Sequence, residues 1–157
     1  MSKGFSGHFH GTSGFFAVLG EDSFERYMPN GKVNVDFNHL PGAAGILVKK
    51  RLTDSQMLFL TDEYGIEFAQ VYERGNGKNG RGGQYKIYSG TVNSVLIPVS
   101  EKTILINHTH PGGTASPSKK DKKLMAMIKQ AGSPQKTSSI LPLGKKPVKF
   151  TSKGLKE

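Results

Sequence analysis

Ile104-Leu105-Ile106-Asn107-His108-Thr109-His110-Pro111, followed by Gly112-Gly113-Thr114-Ala115-Ser116-Pro117-Ser118-Lys119-Lys120-Asp121, is the stretch whose reading decides both fold and chemistry. It begins as a short apolar strand. In a strand, residues i and i+2 project from the same face about 6.6 Å apart, so His108 and His110 point together. Two imidazoles at that separation can converge on one ion at roughly 2.0–2.1 Å from each nitrogen. Pro111 cannot donate to a sheet ladder, so the strand should stop there, and Gly112 and Gly113 let the chain turn back. Ser118 and Asp121 then read as a helix N-cap and its partner three residues on. Asp121 also reads as a third metal ligand, and the two roles are compatible. Two histidines and one carboxylate would leave a fourth position open for water, which is the pattern of catalytic rather than structural zinc.

Outward from this stretch, Ser118–Ala131 reads as the clearest helix, with Leu124, Met125, Met127, Ile128 and Ala131 as its apolar stripe. Gly132 suits the position just past a helix end, and Pro134 follows. Lys119, Lys120, Lys122 and Lys123 are unusual there, because cations in a first helical turn oppose the helix dipole by ~0.3–1 kcal/mol each. They read either as a solvated face or as an electropositive rim that draws an acidic substrate. Ser138–Leu143 and Val148–Phe150 read as closing strands, and residues 152–157 as a polar tail.

Toward the N-terminus, Thr53 or Asp54 can cap a helix carrying Met57, Leu58 and Leu60, with Gly65 ending it. Ile66–Tyr72 reads as a strand with Glu67, Ala69 and Val71 on one face and Ile66, Phe68, Gln70 and Tyr72 on the other. A carboxylate within such a strand is costly to bury without a partner. Residues 73–84 are rich in glycine, asparagine and basic side chains and read as a hairpin loop. No Gly-Lys-Ser/Thr follows to make a phosphate cradle. Tyr85–Tyr88 and Val92–Val99 read as strands, with a bend or bulge at Asn93–Val95. Residues 1–50 read as a lead-in or as a segment that wraps the core. They include a second His-x-His (His8, His10) among glycines, better read as loop than as metal site, a short strand at Val33–Phe37 after the Pro29-Asn30-Gly31 turn, and a lone His39.

His-x-His-Pro followed by Ser-x-x-Asp resembles the signature of the JAMM (JAB or MPN) zinc metalloproteases, matched at His108, His110, Pro111, Ser118 and Asp121. The wider resemblance covers about residues 50–150 and is nearest to JAB-type domains of bacterial polymorphic toxins, through Gly65–Ala69, Tyr88–Pro98 and Gly132–Gln135. It implies an α/β fold, a cytidine-deaminase-like α-β-α sandwich with a mixed, curved central sheet, over residues 51–151. It implies Zn2+ held by His108, His110 and Asp121, hydrolysis of a peptide or isopeptide bond, and Ser118 as oxyanion donor. It further implies a general base on the strand after the first helix. Glu67 is the choice for that base. Glu63 is the alternative, because Glu63-Tyr64-Gly65 also resembles the family's glutamate-before-glycine pattern. The partners implied are a protein or peptide substrate, ubiquitin-like among the options, and a cognate immunity protein. Secretion within a larger toxin, followed by action in the target-cell cytoplasm, is the location that goes with them.

Composition sets the remaining bounds. At 157 residues the chain suits one domain. It has no cysteine, which excludes thiol catalysis, disulfides and cysteine zinc sites. No apolar run reaches the roughly 18 residues of a membrane span. The net charge of +10 favours acidic partners, so a nucleic-acid-binding or nuclease domain is one alternative and a non-catalytic MPN-like scaffold another. A zinc nuclease of the His-x-His-x-Asp-His type needs aspartate where Gly112 stands. A zinc deaminase needs His-x-Glu and Pro-Cys-x-x-Cys, which the sequence lacks.

Overall fold

The computed structural model describes residues 15–20 and 40–156; His8, His10, His39 and the strand expected at Val33–Phe37 lie outside them. In chain order the elements are β1 (Phe15–Leu19), β2 (Ile46–Val48), α1 (Asp54–Tyr64), β3 (Phe68–Glu73), β4 (Gln84–Ser89), β5 (Val95–Val99), β6 (Thr103–His110), α2 (Lys119–Gln130), β7 (Ser138–Pro142), β8 (Val148–Thr151) and β9 (Gly154–Leu155). Seven strands form one sheet in the order β2-β4-β3-β6-β7-β8-β9. Every pairing in it is antiparallel except β6 with β7, which run parallel. Parallel neighbours need a long crossover, and α2 lies within it. β1 and β5 pair antiparallel as a separate ribbon.

The architecture is α/β, with a mixed sheet and one helix on each face. Alternation along the strands divides the apolar residues into two clusters. Ala69, Val71, Tyr88, Leu105 and Ile140 join Leu124, Met125 and Ile128 of α2. Phe68, Ile87 and Leu141 join Met57 of α1. The β1–β5 ribbon completes the α2 side, with Ala17, Leu19, Val95, Ile97 and Val99 all in that first cluster.

Both helices start as their sequences indicate. Thr53 caps α1 in a capping box with Gln56, and Gly65, at φ 71°, closes it in the left-handed conformation. Ser118 and Asp121 form the equivalent box on α2. Other boundaries differ from expectation. The strand expected from Ile66 begins at Phe68. The backbone of Glu67 pairs instead with the loop after β4, through Glu67 N–H to Thr91 O at 2.8 Å and Gly90 N–H to Glu67 O at 3.0 Å. The strand expected from Val92 begins at Val95, because the chain bends at Val92 and Asn93. The tail from Ser152 is not wholly irregular: Gly154 and Leu155 form β9 against β8.

Two buried or half-buried glutamines replace missing ladder partners. The parallel pairing of β6 with β7 runs only from Asn107 to His110, so Leu105 lies ahead of it. Gln135 fills the gap: its Oε1 accepts from Leu105 N–H at 2.8 Å and its Nε2 donates to Leu105 O at 2.6 Å. Gln70 treats Leu52 the same way, accepting from its N–H at 2.7 Å and donating to its carbonyl at 3.2 Å, which ties the lead into α1 to β3. Gln135→Ala is expected to orphan the Leu105 N–H, since the carbonyl keeps the Ser138 hydroxyl at 2.7 Å. The cost should be about 1–3 kcal/mol, seen as a lower urea midpoint with an unchanged slope.

Candidate metal centre

The aim of the two histidines depends on an irregularity in β6. Gln70 faces Asn107 across the ladder, but Val71 faces Leu105, so β6 carries one extra residue, Ile106. A bulge of this kind shifts the side-chain phase of the strand. With strict alternation Leu105 would share its face with Asn107 and Thr109. Instead Leu105 packs in the α2-side cluster, and three residues later His108 joins that side, its ring edge-on to Phe150 at 5.8 Å. His110 follows on the same face. Asn107 and Thr109 point to the other side, toward Asp54 of α1 and the backbone N–H of Phe68.

α2 delivers the third group. As the N3 residue of the capping box, Asp121 accepts from Ser118 N–H at 3.1 Å while its own N–H donates to Ser118 Oγ at 3.0 Å. That fixes the carboxylate at the helix start, over the histidines. Its Oδ1 lies 3.1 Å from His108 Nε2, its Oδ2 lies 3.1 Å from His110 Nε2, and the two Nε2 atoms are 3.1 Å apart. All three side chains are completely buried. Burial works against ionisation of Asp121, but the charges and hydrogen bonds of His108 and His110 outweigh it. They hold the carboxyl far below its ordinary range.

The arrangement fits a metal ion. Among the described residues, His108, His110 and Asp121 form the group of imidazole and acidic side chains able to hold one. Donor atoms around a tetrahedral ion at 2.0–2.1 Å stand about 3.3–3.4 Å from one another, close to the spacing found. His110 Nδ1–H donates to Thr114 O at 2.7 Å, which makes Nε2 the nitrogen that would face an ion, as outer partners of ligand histidines do. Two nitrogens and one oxygen suit zinc among several divalent metals.

The other predicted residues fall unequally around this centre. Glu63 is exposed on α1. Glu67 is completely buried and lies against Gly20. Ser118, also buried, donates its hydroxyl to Gly20 O. Of the α2 lysines, Lys119 and Lys123 are exposed, whereas Lys120 Nζ donates to Asn93 O at 3.0 Å and so anchors the bent loop before β5.

Gly20 is the residue that sequence reasoning missed. Its N–H donates to Asp121 Oδ1 at 2.6 Å. A side chain there would strike Glu67 Oε1 and come within 2.6 Å of Asn93 O, and φ is +127°. The available signal was Phe15-Phe16-Ala17-Val18-Leu19 between Gly14 and Gly20, a short apolar run bounded by turn residues, as a buried strand often shows.

Residues 69–137 match the family model of the RadC-like JAB domain. That span runs from β3 through α2 and contains His108, His110, Ser118 and Asp121, while Glu67 and β1 lie outside it. It is similar to JAB domains, and the mixed sheet with two helices is consistent with a JAB-like fold. No curated protein and no solved structure matches the chain. No helix among the described residues is long and apolar enough to cross a membrane.

Proposed function

We propose that the protein is a zinc-dependent hydrolase of peptide or isopeptide bonds, on a JAB/MPN-type α-β-α sandwich of the cytidine-deaminase-like kind. The observation that carries this reading is the convergence of two Nε2 atoms and one buried carboxylate at 3.1 Å, within the segment that matches a JAB-domain model.

His108, His110 and Asp121 would hold the zinc. When bound, the ion would supply Lewis acidity, acidifying a water and polarising the scissile carbonyl. Glu67 takes a proton from the attacking water and delivers it to the leaving amine. Its burial, away from bulk water, suits a base that must keep the proton between the two steps. Ser118 donates its hydroxyl to the oxygen on which negative charge develops. The phase of β6 aims His108 and His110 and the start of α2 holds Ser118 and Asp121, a preset arrangement that supports this reading because it leaves little reorganisation for the reaction. The setting as a toxin-type effector, exported within a longer chain and restrained by an immunity protein, rests on the sequence resemblance at Gly65–Ala69, Tyr88–Pro98 and Gly132–Gln135.

The test is a mixed set of linear and lysine-branched synthetic peptides, incubated with the protein and one equivalent of zinc and followed by mass spectrometry. Hydrolysis is expected, lost on chelation and restored by zinc. The charge of +10 supports a second reading, a nucleic-acid-acting domain. Salt-sensitive binding or cutting of DNA or RNA, with every peptide left intact, would favour it instead.

A further inference from the structure

β1 enters the site in the way a substrate strand would. It pairs antiparallel with β5 from Phe15 opposite Val99 to Leu19 opposite Val95, and its next residue, Gly20, ends among the reactive groups. Three contacts place Gly20. Its carbonyl oxygen takes the hydroxyl hydrogen of Ser118. Its N–H donates to Asp121 Oδ1 at 2.6 Å. Its α-carbon faces Glu67 Oε1 so closely that no side chain fits there. The hydroxyl assigned to a scissile carbonyl is thus already bonded to a carbonyl of this chain, with the proposed base and a proposed ligand beside it.

We propose that Phe15–Gly20 is an internal substrate strand and that the protein hydrolyses its own Gly20–Glu21 peptide bond. The inference rests on the hydrolase reading above. In the step, the hydroxyl of a water molecule joins the Gly20 carbonyl carbon, and its other proton goes to Glu67. The C–N bond breaks, and the Glu21 nitrogen leaves as an amine after receiving that proton. The products are a carboxylate at Gly20 and a free amino terminus at Glu21, with one water consumed. Glycine is required before the cut because any side chain would collide with Glu67 and with Asn93 O. The shorter fragment should stay docked after cleavage. Leu19 is completely buried and Ala17 nearly so, and both pack with Val95, Ile97 and Val99. Native chromatography would therefore miss the cut.

The experiment uses the whole chain, purified without metal and then given either zinc or a chelator, with masses read under denaturing conditions. With zinc, the intact mass should give way to two species, residues 1–20 and 21–157, with Glu21 as a new amino terminus. The chelated sample and zinc-loaded Glu67→Gln should stay whole. Hydrogen exchange supplies a readout that needs no turnover: in metal-free Glu67→Gln, the amides of residues 17–20 should exchange slowly. Fast exchange there would overturn the placement of the strand. A chain that stays intact while the zinc-loaded protein hydrolyses the peptide set, or one cut at a different bond, would overturn the inference and leave the hydrolase reading standing. Failure of both reactions would overturn the two together.

Discussion

Glu67→Gln is expected to take up one zinc per chain and to hydrolyse peptides about 10²–10⁴-fold more slowly, the span usual for loss of a general acid–base group. The substitution changes almost no volume, and the amide cannot hold a proton between water and leaving amine. Loss should appear in kcat and in kcat/KM together, because the proton moves only on the way through the transition state. Glu63→Gln is the matched control. Glu63 is exposed on α1 whereas Glu67 is completely buried, so the Glu63 variant should retain its rate. The reverse pattern, with Glu63→Gln inactive and Glu67→Gln unaffected, would move the base to Glu63.

Asp121 offers the second large effect, because it does two jobs at once. Asp121→Ala removes a ligand and also the acceptor for Ser118 N–H at 3.1 Å and Gly20 N–H at 2.6 Å. Zinc affinity should fall by more than the roughly 10–100-fold typical of losing an outer-shell partner, and the lost box should cost about 0.5–2 kcal/mol of stability. Asp121→Asn keeps an oxygen to accept from the helix N-terminus but loses the charge. One oxygen cannot serve both Ser118 N–H and Gly20 N–H, and the charge facing the histidines is gone, so its metal-free form should unfold at a lower urea concentration than the parent and its zinc affinity should fall as well. An asparagine variant that binds zinc as tightly as the parent would show that Asp121 serves only as a cap.

Much of this site is legible locally. Strand geometry alone puts His108 and His110 on one face, and Ser118 with Asp121 announces a helix start whose box forms as expected. Gly65 and the apolar stripe of α2 act within a turn or two of themselves, which is the range over which pattern and capping rules operate. What could not be read depends on partners far along the chain. Nothing in Ile104-Leu105-Ile106-Asn107 marks the bulge, because it is a mismatch with β3 rather than a property of β6. That mismatch sends the histidines toward α2. Gly20 meets Asp121 and Ser118 across separations of 101 and 98 residues, beyond any periodicity. The Ile66 strand start failed for a related reason: alternation continues through Glu67, but its backbone bonds go to Thr91 O and Gly90 N–H. The choice between Glu63 and Glu67 likewise turns on burial. The two glutamates stand only four residues apart in sequence, one exposed and one buried, and only packing distinguishes them.

The most direct test of the account is titration of the metal-free chain with cobalt, followed by its visible absorption, in the parent and in His108→Ala/His110→Ala. The account predicts one ion per chain, with the intense bands of a four-coordinate site in the parent and their absence from the double variant. Undiminished uptake with the same bands after both histidines are removed, or no uptake by the parent, would contradict it.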